Sequence, residues 1–124
     1  MKPYEIERYV RQKLGEMYGT RFKRAKLPIG QKSDGGSQIH EFDLISEDNC
    51  IVGEAKSGKC SRMNYNSALV DCLNLSKTRA RVKLMIFTDK ELYDYFKSNS
   101  KCLVSPEIQL ILISVVERAL TLLG

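Results

Sequence analysis

The sequence has no C-x-x-C pair and a single histidine, His40. Zinc centres and dithiol redox sites draw on closely spaced cysteines, usually helped by histidine, so neither is expected. The four cysteines (Cys50, Cys60, Cys72, Cys102) lie far apart and read as buried free thiols. No apolar run is long enough to span a bilayer, and "MKPYEIERYV" lacks the apolar centre of a signal peptide. The expectation is a cytoplasmic chain with no membrane partner and no disulfides. Linker-like stretches and internal repeats are also missing, so residues 1–124 read as one domain.

Hydrophobic residues make up 43% and charged residues 28%, a globular balance. The formal charge of +5 is unevenly spread: residues 1–35 hold nine Lys/Arg against four Asp/Glu, and the remainder holds eleven of each. The excess peaks in "RFKRAK", with Arg21, Lys23, Arg24 and Lys26. Such a cluster is either a solvated face or a surface that displaces counterions from nucleic acid.

Hydrophobic spacing predicts a helix over 3–18, with Pro3 in the first turn, Gly19 as its stop, and Ile6, Val10, Leu14 and Met17 as the buried stripe. Glu7 falls roughly 20° from Leu14 on the helical wheel, so a carboxylate borders the apolar stripe and needs a partner. A strand over 20–29 is expected to turn at Pro28 into the loop "GQKSDGGSQ". "IHEFDLIS" and "CIVGEAKS" form a hairpin around Asp48-Asn49. A helix over 63–77 follows, with Tyr65, Ala68, Leu69, Cys72 and Leu73 inward, then a buried strand over 82–87. A capping box from Thr88 to Glu91 opens another helix, then come the strand "IQLILIS" and a closing helix over "VVERALTLL". This order gives an α/β fold, a mixed sheet flanked by helices.

The hairpin carries the chemistry. A two-residue turn at Asp48-Asn49 pairs Ile45 with Val52, Asp43 with Glu54, and Glu41 with Lys56. Alternation then sets Asp43, Glu54 and Lys56 on one face, against Phe42, Leu44, Ile51 and Ala55 on the other. Opposed like charges repel. A hard divalent cation reverses that sign: Mg²⁺ is held by one or two carboxylates together with phosphate oxygens and water. A nearby lysine suits activation of water or stabilisation of developing charge. These parts fit phosphodiester hydrolysis.

Asp43, ten intervening residues and then Glu54-Ala55-Lys56 resemble the PD-(D/E)XK nuclease superfamily, and the element order matches from the first helix through 82–87. The resemblance implies a restriction-endonuclease-like sheet and a first-helix glutamate at the metal, a place that Glu7 matches. Among its members the chain most resembles the small archaeal Holliday-junction resolvases, through "RFKRAKLPIG", "KSDGGSQ" and Glu-Ala-Lys-Ser. Phe42 stands where the family name has proline. Resolvases commonly use a loop serine, for which Ser33 and Ser37 are both available. Arg62, Asn64 and Asn66 are candidates for a polar contributor on the following helix.

The expectation is therefore a DNA endonuclease using Mg²⁺, with Mn²⁺ able to replace it. Glu7, Asp43 and Glu54 are the metal ligands, and Lys56 assists the water. Arg21, Lys23, Arg24, Lys26, Lys32, Ser33 and Ser37 hold the DNA backbone. Glu41 pairs with Lys56 behind the site, and His40 is structural. So small a chain has little room for base readout, favouring structure-selective cutting of branched DNA by a homodimer. The apolar closing segment suits either core or dimer interface. The rival is a nucleic-acid-binding module that kept the fold without cleaving.

Overall fold

The computed structural model describes residues 2–115, and beyond Val115 the predicted closing helix lies outside them. The elements run α1 (Pro3–Tyr18), β1 (Phe22–Gln31), β2 (Ser37–Ser46), β3 (Ile51–Lys56), α2 (Arg62–Ser76), β4 (Val82–Phe87), α3 (Lys90–Asn99) and β5 (Ile108–Leu112). The strands form one open sheet in the order β1-β2-β3-β4-β5. The first three are antiparallel neighbours; β3, β4 and β5 are parallel. Parallel neighbours need a crossover, which α2 and α3 supply. Among the described residues the fold is thus α/β, with a five-stranded mixed sheet and three helices. No helix among them is long and apolar enough to cross a membrane.

Both faces of the sheet are covered. Val10 and Leu14 of α1 pack on Leu44, Leu84 and Ile86. Ala68, Cys72 and Leu75 of α2 and Leu92 and Phe96 of α3 pack with Phe42, Ile45, Val52, Met85 and Phe87 on the other side. Strict alternation along β2 places Phe42 with Leu44, whereas the structure separates them. Between the pairs Lys23–Ile45 and Ala25–Phe42, β1 advances by Arg24 alone while β2 advances by Asp43 and Leu44. This β-bulge rotates everything before Asp43 to the opposite face.

Local chemistry explains most boundaries. Pro3 occupies the first turn of α1, and Gly19 ends it at φ 67°, its N–H bonded to the Gly15 carbonyl. Met17, expected inward, is 61% exposed because the stripe leaves the sheet after Leu14. Leu73 is likewise exposed, and Leu75 takes its place in the core. β1 does not stop at Pro28 but pairs through to Gln31. It is an edge strand, where a missing N–H costs no ladder bond. The loop shrinks to 32–36, closed by the Gly36 N–H donating to Asp34 Oδ1 (2.9 Å).

The β2–β3 connection is wider than a two-residue turn, spanning 47–50 with Asn49 at φ 61°. Asp48 Oδ1 accepts from Ser46 Oγ (2.8 Å) and the Cys50 N–H (3.0 Å). The Cys50 N–H, then Ser46, holds the Asp48 carboxyl below its usual range. The cap of α3 is Asp89, one residue past the expected Thr88, with its carboxylate accepting from the Leu92 N–H (2.9 Å). All four cysteines are free; only Cys72 is buried, and Cys102 is exposed.

Gly53 sits at the crowded centre of β3. A Cβ there would meet the Leu84 carbonyl oxygen at 3.1 Å, Ile86 Cδ1 at 3.1 Å and Leu44 Cδ1 at 3.2 Å. The carbonyl belongs to a paired strand and has no room to yield. Gly53→Ala should therefore cost ~1–3 kcal/mol of overpacking and lower the thermal midpoint by several degrees. An unchanged midpoint would mean that β3 slides to make room.

Candidate active site

Leu44–Gly53 and Ile45–Val52 are the backbone pairs that join β2 to β3, in the register expected from the sequence. Beyond them the strands part at the bulge, and two carboxylates replace the ladder. The Asp43 N–H donates to Glu54 Oε1 (3.1 Å), and the Ala55 N–H donates to Asp43 Oδ2 (2.9 Å). Backbone amides that must find partners thus hold the two acids in place.

Glu54 is nearly inaccessible, at 5% exposure. Desolvation, then the charges of Asp43 and Asp71, push its carboxyl up to about 9. His40 comes closest to answering it, with Nε2 3.7 Å from Glu54 Oε2. That nitrogen is buried without a hydrogen bond, and the ring stands edge-on to Phe42 at 4.7 Å between centroids. The two cations of the site are engaged elsewhere.

Lys56 turns to α2. Its Nζ donates to Ser67 Oγ (2.6 Å) and lies 2.9 Å from Asp71 Oδ2. The expected Glu41–Lys56 pair does not form; Glu41 instead meets Arg24 at 3.5 Å. Sequence reasoning missed Asp71 and Ser67. The signal for Asp71 is the one that marks Glu7: it adjoins the buried stripe Ala68–Cys72–Leu75, where a carboxylate needs a partner. Cys72 lies buried behind them, its thiol pushed up to about 12 by desolvation and then by Asp71. It is a packing residue rather than a nucleophile.

Glu7 is joined to Asp43 through arginines, chiefly Arg24. Arg24 Nη2 lies 2.6 Å from Glu7 Oε2 and 3.5 Å from Asp43 Oδ1. Arg11 adds a looser contact to Glu7 at 3.8 Å and donates to the Asp43 carbonyl at 3.5 Å. The bulge sets Arg24 beside Asp43, so this member of the basic strand clasps carboxylates while Arg21, Lys23 and Lys26 stay exposed. Arg11, Lys23 and Arg24 line, together with Glu7, a 740 Å³ groove between α1 and β1. Lys32, Ser33 and Ser37 lie exposed around the hairpin loop, and neither serine touches the acids.

No family model, curated protein or solved structure matches this chain. Among the described residues no three His, Cys, Asp or Glu groups converge as a metal-holding set. Glu7 is drawn to Arg24, and Asp71 is drawn to Lys56.

Glu54 makes the site sensitive to pH. Between the ordinary carboxyl value of 4.5 and about 9, the native state holds a proton that the unfolded chain releases. Native stability thus falls as pH rises through that window. Glu54→Gln removes the ionisation and keeps an acceptor for the Asp43 N–H. Without divalent cation it should raise the thermal midpoint by ~5 °C at pH 8 and leave it nearly unchanged at pH 5. Melting curves across that range decide the matter. Parallel pH dependence in mutant and parent would show that Glu54 ionises normally.

Proposed function

We propose that this chain is a metal-dependent DNA endonuclease of the PD-(D/E)XK kind. On this reading it has the restriction-endonuclease-like fold and cuts branched or junction DNA, as the resemblance to archaeal Holliday-junction resolvases implies. One observation carries the reading: Asp43 and Glu54 are braced by backbone amides where β2 and β3 part, with Lys56 two residues along β3. A surface hairpin with chance charges would leave these side chains in water. Here Glu54 is buried among carboxylates and made tolerable only by a proton.

A divalent cation fits that donor set. Mg²⁺ needs only one or two carboxylates when phosphate oxygens and water complete its shell, so Asp43 and Glu54 suffice, with Mn²⁺ able to substitute. Glu7, from α1, would contribute once Arg24 releases it. The bound ion would lower the pKa of a water and offset charge on the scissile phosphate. Glu54 would have to release its proton to hold a cation, so binding would strengthen with pH. Asp71 and Ser67 hold the Lys56 ammonium, which would orient water or meet developing oxyanion charge. Lys23, at the groove that Glu7 also lines, and the exposed Arg21 and Lys26 would meet a phosphate backbone. A homodimer would offer two such sites to a four-way junction.

Cleavage of duplex, flap and four-way DNA with Mg²⁺ or Mn²⁺ tests this. Asp43→Asn and Lys56→Ala should each cut the rate at least ~100-fold, while DNA binding stays equal or, for Asp43→Asn, tightens. Equal cleavage by mutant and parent sinks the assignment. DNA binding by the parent without cutting identifies the non-cleaving module instead. Replacing Arg21, Lys23 and Lys26, with Arg24 left on its carboxylates, should weaken all sequences alike. The salt slope should shrink by ~0.9 for each phosphate that is no longer neutralised. An unchanged slope makes that strand a solvated face.

A further inference from the structure

A cleft of 380 Å³ opens between α2 and α3, lined by Cys60, Ser61, Arg62, Tyr65, Asn66 and Tyr95. Its walls are held in place. The Tyr65 hydroxyl donates to the Asn99 carbonyl (3.2 Å), and its ring leans on Phe96 at 5.5 Å. Tyr95 meets Tyr65 edge-to-face, with centroids 5.3 Å apart at 79°, and remains 49% exposed. The rim is pinned too: Ser61 Oγ accepts from the Asn64 N–H (3.1 Å), and Asn64 Nδ2 donates to the Lys59 carbonyl (2.7 Å). The fold thus leaves a large aromatic surface in water on a rigid support, where stacking would cost little ordering entropy.

Charge narrows the occupant. Lys59 and Arg62 are exposed at this rim, and no ion pair among the described residues engages them. Glu91 and Asp89 also come near this rim: after burial, their charges push the Cys60 thiol up. The cations available to an anion here are Lys59 and Arg62. Asn66 adds an exposed amide, both donor and acceptor, to the same wall. Flat aromatic faces, an amide and two cations together match a nucleotide. The volume falls at the lower end of ligand pockets, roughly 300–1,000 Å³. The cleft shares α2 with Ser67 and Asp71, the residues that hold Lys56.

We propose that this cleft takes an unpaired nucleobase, stacked on Tyr95, with its phosphate towards Lys59 and Arg62. The proposal rests on the DNA-cleaving reading and narrows the substrate. Bases inside a duplex are already stacked and cannot enter, whereas those at a flap or branch can. Selectivity for DNA structure would then come from this cleft rather than from the acids.

Binding measured in EDTA separates this proposal from cleavage. The probes are a single-stranded oligonucleotide, a flap of the same sequence, its blunt duplex and an RNA counterpart. Tyr95→Ala should weaken single-stranded and flap binding about tenfold and duplex binding less than twofold, as expected for loss of one stacked base. Tyr95→Phe should bind like the parent, because stacking needs the ring and not the hydroxyl. The chain has no tryptophan, so Tyr95→Trp installs a unique fluorophore whose emission should be quenched by the single strand and not by the duplex. Equal quenching by RNA extends the ligand to any unpaired strand and supports the cleft as a base site. Equal losses on all DNA forms, no loss at all, a Phe variant as weak as Ala, or no single-strand binding by the parent each overturn it. A parent that cleaves while Tyr95→Ala binds normally would sink this proposal alone. A parent that never cleaves, yet loses single-strand affinity on Tyr95→Ala, would sink the nuclease reading and leave the cleft standing.

Discussion

Where β2 and β3 part, two backbone amides lose their ladder partners and take carboxylates in exchange. The Asp43 N–H reaches Glu54, and the Ala55 N–H reaches Asp43. Buried amides must be bonded, and this exchange satisfies them while forcing two acids together. The bulge, the burial of Glu54 and the position of Lys56 follow from the same local geometry. A continued ladder would instead carry backbone bonds and leave both side chains free to separate.

The charge balance around this point is narrow. Arg24 answers Glu7, Glu41 and Asp43 together, and Lys56 answers Asp71. Glu54 is left without a cation and takes a proton, because desolvation and two neighbouring carboxylates all oppose its charge. Each of these two cations is committed to other acids. His40 stays beside the acids with Nε2 unbonded, tied to Phe42 rather than to a charge.

The elements and their register are legible in the sequence because they follow from local rules. Pro3 and Gly19 bound α1, and Asn49 takes positive φ in the β2–β3 connection. The Ile45–Val52 pairing, which turn chemistry alone predicts, brings Asp43 to Glu54, although the ladder itself ends at Leu44–Gly53. Three features are not legible, for a common reason. The bulge at Asp43–Leu44, the clasp of Arg24 and the Asp71–Lys56 pair each depend on segments that meet only after the sheet assembles. Alternation has period two until a bulge inserts a residue, and nothing in β2 alone announces that Arg24 will sit opposite two residues.

Composition and spacing by themselves determined an α/β chain with a basic first third, an acid pair in register across a hairpin, and a lysine on the same strand. Those features depend on side-chain periodicity and turn chemistry, which act within a few residues. Tertiary structure decided which cation each acid holds, because ion pairs form between side chains that the fold brings within about 4 Å, whatever their separation in sequence. It drew Glu7 to Arg24 rather than to the acid pair, gave Lys56 to Asp71 rather than to Glu41, and buried Glu54 beyond the reach of either cation. It also joined Tyr65 of α2 to Tyr95 of α3, two residues on separate helices whose pairing no local pattern encodes. Periodicity sets what each segment presents; packing sets what each presented group must satisfy.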